Sequence, residues 1–266
     1  GLHQKGKGDR IDYGKALFGY STQEGSYKSK LSFSDAVLQG TATVLGEEAL
    51  ILAEPKPSSY LDYLEPRSGE GVTYNADDFE LRGVRQYWLH KELAGDSSGK
   101  AQMMEKVASR FWPLKQGARF TGKIRFQNLT MDEMGLLLWA VRLNENSWMN
   151  VGKAKAYGYG NISLEIKEAK RLDLGKAYSS DSLLDLDHFR VVCVDESINV
   201  YNEEVNLFLG KMTIDDLPHI NDFFRMKDSS LIPDNDKTRY MSIDEGEYQS
   251  RNTPLPGVSE VVGKTK

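Results

Sequence analysis

RFTGKIRFQNLTMDEMGLLLWAVRLNENSWMNVGKAKAYGYGNISLEIK, residues 119–167, carries the clearest local pattern in the chain. Phe120, Gly122, Ile124 and Phe126 alternate with Thr121, Lys123 and Arg125, which predicts a strand with one apolar and one basic face. Thr130 stands three residues before Glu133, the spacing of a capping box, in which each side chain satisfies an amide at the start of a helix. Met134, Leu137, Leu138 and Val141 then recur at helical spacing, and Trp139 widens the stripe, so a helix is predicted over Met131–Leu143. Asn144 and Asn146 end it. A glycine-rich segment, Val151–Gly160, leads to a second alternating strand through Ile162, Leu164 and Ile166. Two strands joined through one helix are expected in one sheet, with the helix on its back.

The glycine segment is the strongest chemical signal. Gly152, Gly158 and Gly160 open backbone angles closed to other residues and let the chain approach a phosphate closely. Lys153 and Lys155 would neutralise phosphates, and Tyr157 and Tyr159 would stack on bases. No Gly-Lys-Ser/Thr closes the loop and a strand follows it, so it is neither a P-loop nor a dinucleotide fingerprint. The competing reading is a wide loop with glycines for sterics and lysines for solubility. A second segment, Glu80–Lys91, interleaves Arg82, Arg85, His90 and Lys91 with Tyr87 and Trp88, a mixture that suits single-stranded RNA. It reads equally as an amphipathic strand whose aromatics belong to the core.

On the N-terminal side, Gly1–Gly8 reads as a flexible lead without a secretory core, and residues 11–20 as a short helix closed by Gly19. Leu31–Leu38 reads as a strand with Leu31, Phe33 and Val37 on one face. Glu54–Tyr74, with three prolines, is a long irregular stretch. On the C-terminal side a polar linker runs to about Asp187, Phe189–Val194 reads as a strand, and Leu207–Met226 is partly helical with Pro218 interrupting it. The tail from Ser250 is expected to be extended or disordered.

The whole chain has 266 residues, 39% hydrophobic and 27% charged, which argues against disordered and fibrous classes. No apolar run reaches the roughly 18 residues of a membrane span. A single cysteine, Cys193, excludes an internal disulfide framework and a four-cysteine zinc site. The net charge of -5 is uneven: residues 101–171 carry an excess of basic groups and residues 172–266 an excess of acidic ones. A basic centre beside an acidic tail suits a polyanion and a protein partner.

Catalytic constellations are sparse. His3, His90, His188 and His219 show no metal-type spacing. Cys193 lies in an apolar run and reads as core filler. Asp215 and Asp216 read as caps of a following helix. Asp35 is the one acid inside a strand pattern; it is catalytic or, as expected here, a buried structural acid.

Several segments resemble one family. Leu17-Phe18-Gly19 and Phe33-Ser34-Asp35-Ala36 are similar to the LFG and FSDA signatures of the CRISPR-associated RAMP superfamily, the backbone subunits of type III effectors. Residues 55–60, PKPSSY, and 81–90, LRGVRQYWLH, resemble the PKPTSY and RGRKFYWH segments of one RAMP branch. Residues 120–129 with 135–140 are similar to the family's final strand–helix unit, and Gly152–Gly160 to its C-terminal glycine-rich loop. The resemblance covers roughly Asp9 to Arg171, and weakly Leu207 to Met241.

The resemblance implies an α+β, ferredoxin-like (RRM-like) fold. The first strand and helix that normally precede LFG are absent, so residues 9–171 would be the C-terminal part of a RAMP domain, with an insertion at about 53–118. Residues 172–266 would be an extension, flexible from about 250. The last RAMP repeat of a single-chain type III-E effector is one such case. The implied function is guide-RNA (crRNA) binding in antiviral defence, in the prokaryotic cytoplasm. The implied partners are crRNA, target RNA, other RAMP subunits or domains of the effector and an accessory protease, with no membrane. The expected RNA-binding residues are Gly152, Lys153, Lys155, Tyr157, Gly158, Tyr159 and Gly160, joined by Arg82, Arg85, Lys56, Lys123 and Arg125. The branch's zinc-knuckle cysteines are missing, and the family's target-cleaving aspartate falls in the absent portion, so no catalytic or metal-binding residue is carried over. No cofactor is expected on this chain; Mg²⁺ would serve cleavage by the parent complex, an RNA-guided endoribonuclease. Two other readings stand beside this one: an RNA-independent capping or docking module, and a metal-dependent ribonuclease centred on Asp35.

Overall fold

The computed structural model describes residues 11–23, 25–52, 60–65, 72–94, 106, 108–172, 178, 189–194, 218–238 and 256–263. The fold is α+β. In chain order the strands are β1 (Tyr20–Ser21), β2 (Ser26–Tyr27), β3 (Leu31–Phe33), β4 (Val37–Gln39), β5 (Glu48–Ile51) and β6 (Ala108–Phe111). They continue with β7 (Arg119–Thr121), β8 (Ile124–Phe126), β9 (Met149–Asn150), β10 (Asn161–Ile162), β11 (Glu168–Leu172) and β12 (Phe189–Val194). Among the described residues they pair only as two-stranded antiparallel sheets: β1–β2, β3–β8, β4–β7, β5–β6, β9–β10 and β11–β12. The chain divides into two compact units. One gathers Gly1–Thr43, Leu114–Arg142 and Glu165–Thr213; the other gathers Val44–Pro113, Leu143–Leu164 and Ile214–Lys266.

The first unit begins with the expected short helix, Tyr13–Phe18. Asp12 caps it by accepting from the Lys15 amide at 2.8 Å, and Gly19 ends it at φ 73°. A Cβ on Gly19 would lie 2.3 Å from the Tyr27 carbonyl oxygen, so the turn requires glycine twice over. The two strands expected over Leu31–Leu38 and Phe120–Phe126 form, and they pair with each other, but each is broken. Phe33 stands opposite Ile124, whereas Leu38, not Val37, stands opposite Phe120. Three residues, Ser34–Ala36, therefore face two, Gly122 and Lys123, which is a β-bulge. Ser34 holds it: its amide donates to the Lys123 carbonyl at 2.9 Å, and its hydroxyl accepts from the Lys123 amide at 2.8 Å. Asp35, expected to be buried, is exposed on this bulge.

The long helix spans Met131–Arg142. The capping box forms, with the Thr130 amide donating to Glu133 Oε2 at 2.9 Å and the Glu133 amide to Thr130 Oγ1 at 3.4 Å. Glu133 is buried and pairs with Lys30 Nζ at 2.7 Å. Met134 and Leu138 form the buried stripe, packed by Phe126, Leu129, Trp139, Ile166 and Ala169. The expected single sheet joining Phe120–Phe126 to Ile162–Ile166 is not formed. Only Asn161–Ile162 is strand there, and it pairs with β9 across the glycine loop. That pairing is a local antiparallel one, which needs no crossover connection. Phe189–Val194 is a strand, as expected, paired with β11.

The second unit centres on Leu50, Leu64 and Leu89, each essentially inaccessible. Leu64 bridges to Leu81, and the β5–β6 ribbon lies in the same unit. Pro218 begins the described helix, Pro218–Lys227, and the earlier part of the expected Leu207–Met226 stretch lies outside the described residues. The fixed φ of proline suits the first helical position, where no amide partner is needed. The tail is not extended throughout: Val258–Val262 is helical and Val261 is buried. Residues 1–10, 53–59, 95–105 and 195–217 lie outside the described residues, and with them Lys56, His3, Asp215, Asp216 and the expectations placed on them. His188 and the Cys193 and His219 side chains also lie outside them. Among the described residues no helix is long and apolar enough to cross a membrane.

Candidate nucleic-acid interface

The Val151–Gly160 loop is a closed hairpin in the second unit. The Val151 amide donates to the Gly160 carbonyl at 2.9 Å, and the amides of Tyr157 and Tyr159 both donate to the Ala154 carbonyl, at 2.9 and 3.3 Å. Ala154 is buried in the left-handed region at φ 57°, a conformation non-glycine residues rarely hold. Two of the three glycines are needed for packing. A Cβ on Gly160 would lie 1.8 Å from the Val151 carbonyl oxygen, and one on Gly158 2.9 Å from His90 Cβ. Gly152, at φ 82°, faces open space.

The tyrosines anchor the loop. Tyr157 donates its hydroxyl to the Ile51 carbonyl at 2.9 Å. Tyr159 packs edge-on against Phe111 with ring centres 5.1 Å apart. Burial, with the Glu48 carboxylate second, pushes its phenol above the usual value. Lys155 folds back: Nζ donates to the Gly152 carbonyl at 2.6 Å and lies 5.1 Å from the centre of the Tyr87 ring. What remains outward is Val151, Gly152 and Lys153, together with the exposed Tyr87. Lys153 makes no ion pair among the described residues.

The second sequence segment runs beside this loop within the same unit. Apart from the Leu64–Leu81 bridge it carries no strand pairing. Leu89 and His90 are buried, Trp88 is half-buried, and Tyr87 and Arg85 are exposed. Its aromatics thus divide between core and surface. Arg85 donates to the Tyr63 hydroxyl at 3.1 Å and stacks on that ring at 5.4 Å. Arg82 is half-buried, 3.9 Å from Glu65. Lys123 and Arg125 are exposed in the first unit, on the strand opposite the bulge.

Residues not singled out from the sequence hold the loop's stem. Asn150 and Asn161 flank the loop and pair directly, Asn150 Nδ2 donating to Asn161 Oδ1 at 2.9 Å. Lys227 is 3% exposed, and its Nζ donates to Asn150 Oδ1 at 2.6 Å and to the Tyr87 carbonyl at 2.9 Å. Burial pulls its ammonium down to about 8. Burial likewise holds the His90 imidazole below its usual value. The matched asparagines at the two ends of the loop were the available sequence signal; nothing in the sequence ties Lys227 to them.

Among the described residues no cluster of three or more His, Cys, Asp or Glu side chains is arranged to hold a metal, and Asp35 has no such companions there. No protein-family model matches this sequence, and no curated protein matches it.

Proposed function

We propose that this chain is a guide-RNA-binding segment of a CRISPR type III effector, built on part of a ferredoxin-like RAMP domain. The observation that carries the reading is the surface of the second unit, where the exposed Gly152–Lys153 tip adjoins Lys155 seated on the exposed Tyr87 ring. Cations beside an accessible aromatic suit a sugar–phosphate strand with an unstacked base. Arg85, braced on Tyr63, extends the same chemistry along the chain. Tyr157, Tyr159, Gly158 and Gly160 contribute by shaping the loop, and Gly152 and Lys153 by facing the RNA. Lys123 and Arg125 supply a second basic surface. Under this reading the protein acts in the prokaryotic cytoplasm beside other RAMP modules, crRNA, target RNA and an accessory protease, and Mg²⁺ belongs to cleavage elsewhere in the complex.

A filter-binding salt titration of the Lys153→Ala/Lys155→Ala chain against a single-stranded RNA tests it. The affinity should fall, and the log–log salt slope should shrink by roughly 0.7 for each phosphate that is no longer neutralised. Affinity and slope equal to the parent's would remove the loop from any RNA interface.

A docking module is the second reading, and one observation favours it. Phe33, Val37 and Phe120 are each at least half exposed on the paired strands of the first unit. Apolar surface of this kind on a sheet with open edges is what a protein partner covers.

A further inference from the structure

The C-terminal helix reaches the glycine loop through one buried side chain. Lys227 is the last residue of the helix Pro218–Lys227, and its Nζ is shared by two acceptors that serve different parts of the interface. One is Asn150 Oδ1 at 2.6 Å, in the first strand of the loop's stem; the Asn150 amide in turn holds Asn161 in the second strand at 2.9 Å. The other is the carbonyl of Tyr87 at 2.9 Å, and the Tyr87 ring seats the Lys155 ammonium. The backbone continues the attachment. The Trp148 amide donates to the Lys227 carbonyl at 2.8 Å, the Ser229 amide to the Asn146 carbonyl at 2.9 Å, and Ser147 bridges to Asp228. Lys227 is thus fixed against residues 146–150 by its main chain while its ammonium ties the loop stem to the aromatic platform.

We infer that Lys227 is a positioning residue for the glycine loop, setting the stem at Asn150 and the Tyr87–Lys155 pair in register, so that the C-terminal helix governs the loop's affinity for RNA without touching it. Three other hydrogen bonds join the loop and its stem to the same segment, from Asn150 Nδ2 to the Trp88 carbonyl and from Asn161 Nδ2 to the His90 carbonyl, both long at 3.4 Å, and from the Ala94 amide to the Tyr157 carbonyl at 3.0 Å; the Lys227 contacts are shorter than all three. The loop's own hydrogen bonds close the hairpin, and Tyr157 and Tyr159 dock it on the β5–β6 ribbon. Because coupling between sites is reciprocal, RNA held on the loop stabilises the Pro218–Lys227 helix by the same factor. A partner that displaces this helix therefore releases RNA. The part concerning RNA rests on the function proposed above; the positioning itself does not.

Two measurements on the full chain test it. In Lys227→Met, hydrogen exchange at the Val151, Tyr157 and Tyr159 amides should accelerate by about tenfold or more, while the β5–β6 amides stay within about twofold of the parent. Lys227→Arg, which keeps charge and donors, should restore protection in part and guards against a Met variant that fails to fold. Unchanged loop amides, or equal acceleration throughout the second unit, would overturn the inference. Binding of single-stranded oligouridine completes the test through a double-mutant cycle. Lys227→Met should weaken binding several-fold in the parent and by less than about twofold in Lys155→Ala, because the two act in series. Equal factors in both backgrounds would overturn the coupling. A parent chain that binds no RNA would refute the proposed function, and the exchange result would still decide the role of Lys227.

Discussion

Lys227 should give this protein an unusual alkaline stability profile. The ordinary lysine value is 10.5, and burial lowers this one to about 8. Between those values the unfolded chain holds the proton and the folded chain does not, so the unfolded state binds more protons and stability rises with pH. At neutral pH the folded state carries the burden of a desolvated ammonium. Raising the pH from about 7 to about 9.5 relieves it by about 2 kcal/mol. The neutral amine still has two N–H groups for the Tyr87 carbonyl and Asn150 Oδ1, so the hydrogen bonds survive the titration. Urea unfolding followed by circular dichroism at steps across that range should show the rise in the parent and its absence in Lys227→Met. The range stops below pH 10 because Tyr159, whose phenol is raised, works in the opposite direction there: its contribution is lost as the pH climbs past 10.0 towards the folded value. At neutral pH the Met variant is relieved of the burial burden but leaves two acceptors without donors, each worth about 1–3 kcal/mol. The diagnostic quantity is therefore the difference in slope, not the stability at one pH. Parallel curves for parent and variant would refute the argument.

Three further perturbations follow from the geometry. Gly152→Ala should lose only the roughly 1–2 kcal/mol of a left-handed backbone, whereas Gly160→Ala adds a clash with the Val151 carbonyl and should lose clearly more, read as thermal midpoints of the two variants. Glu133 is held below the usual carboxylate value: burial alone would raise it, but Lys30 and the Thr130 amide outweigh that. Its contribution is present above the ordinary carboxylate range and is lost as pH falls through the folded value. Glu133→Gln should lower stability at neutral pH by about 1–3 kcal/mol and flatten the acid limb of a denaturation series. Replacing Phe33, Val37 and Phe120 together by Thr should raise the soluble yield and reduce binding of an apolar dye while leaving the thermal midpoint nearly unchanged, since all three side chains are largely exposed.

Local chemistry is legible in the sequence where one residue type satisfies one backbone need. Asp12 and Gly19 bracket a helix as their types predict, and Thr130 and Glu133 close the capping box. Pairing is harder to read, because it depends on a single-residue insertion that alternation hides. Leu31, Phe33 and Val37 share a parity, yet the bulge at Ser34–Ala36 hands the position opposite Phe120 to Leu38. The glycine loop is visible as a loop, but glycine content alone cannot separate close packing from ligand approach; only the distances at Gly158 and Gly160 against the open space at Gly152 do so. Pro218 opens the helix Pro218–Lys227, a role that proline fills as readily as that of breaker. Lys227 is invisible for a different reason: its partners lie 140 and 77 residues away in sequence.

The interleaving of the two units has a consequence for synthesis. Each unit draws on three separate stretches of chain, and neither can be excised as one continuous fragment. During translation Tyr87 emerges long before Lys227, so the stem of the loop waits for its latch until the Pro218–Lys227 helix has left the ribosome. Contacts that distant in sequence form slowly. A nascent chain stalled ahead of Ile214 would present its glycine hairpin unlatched.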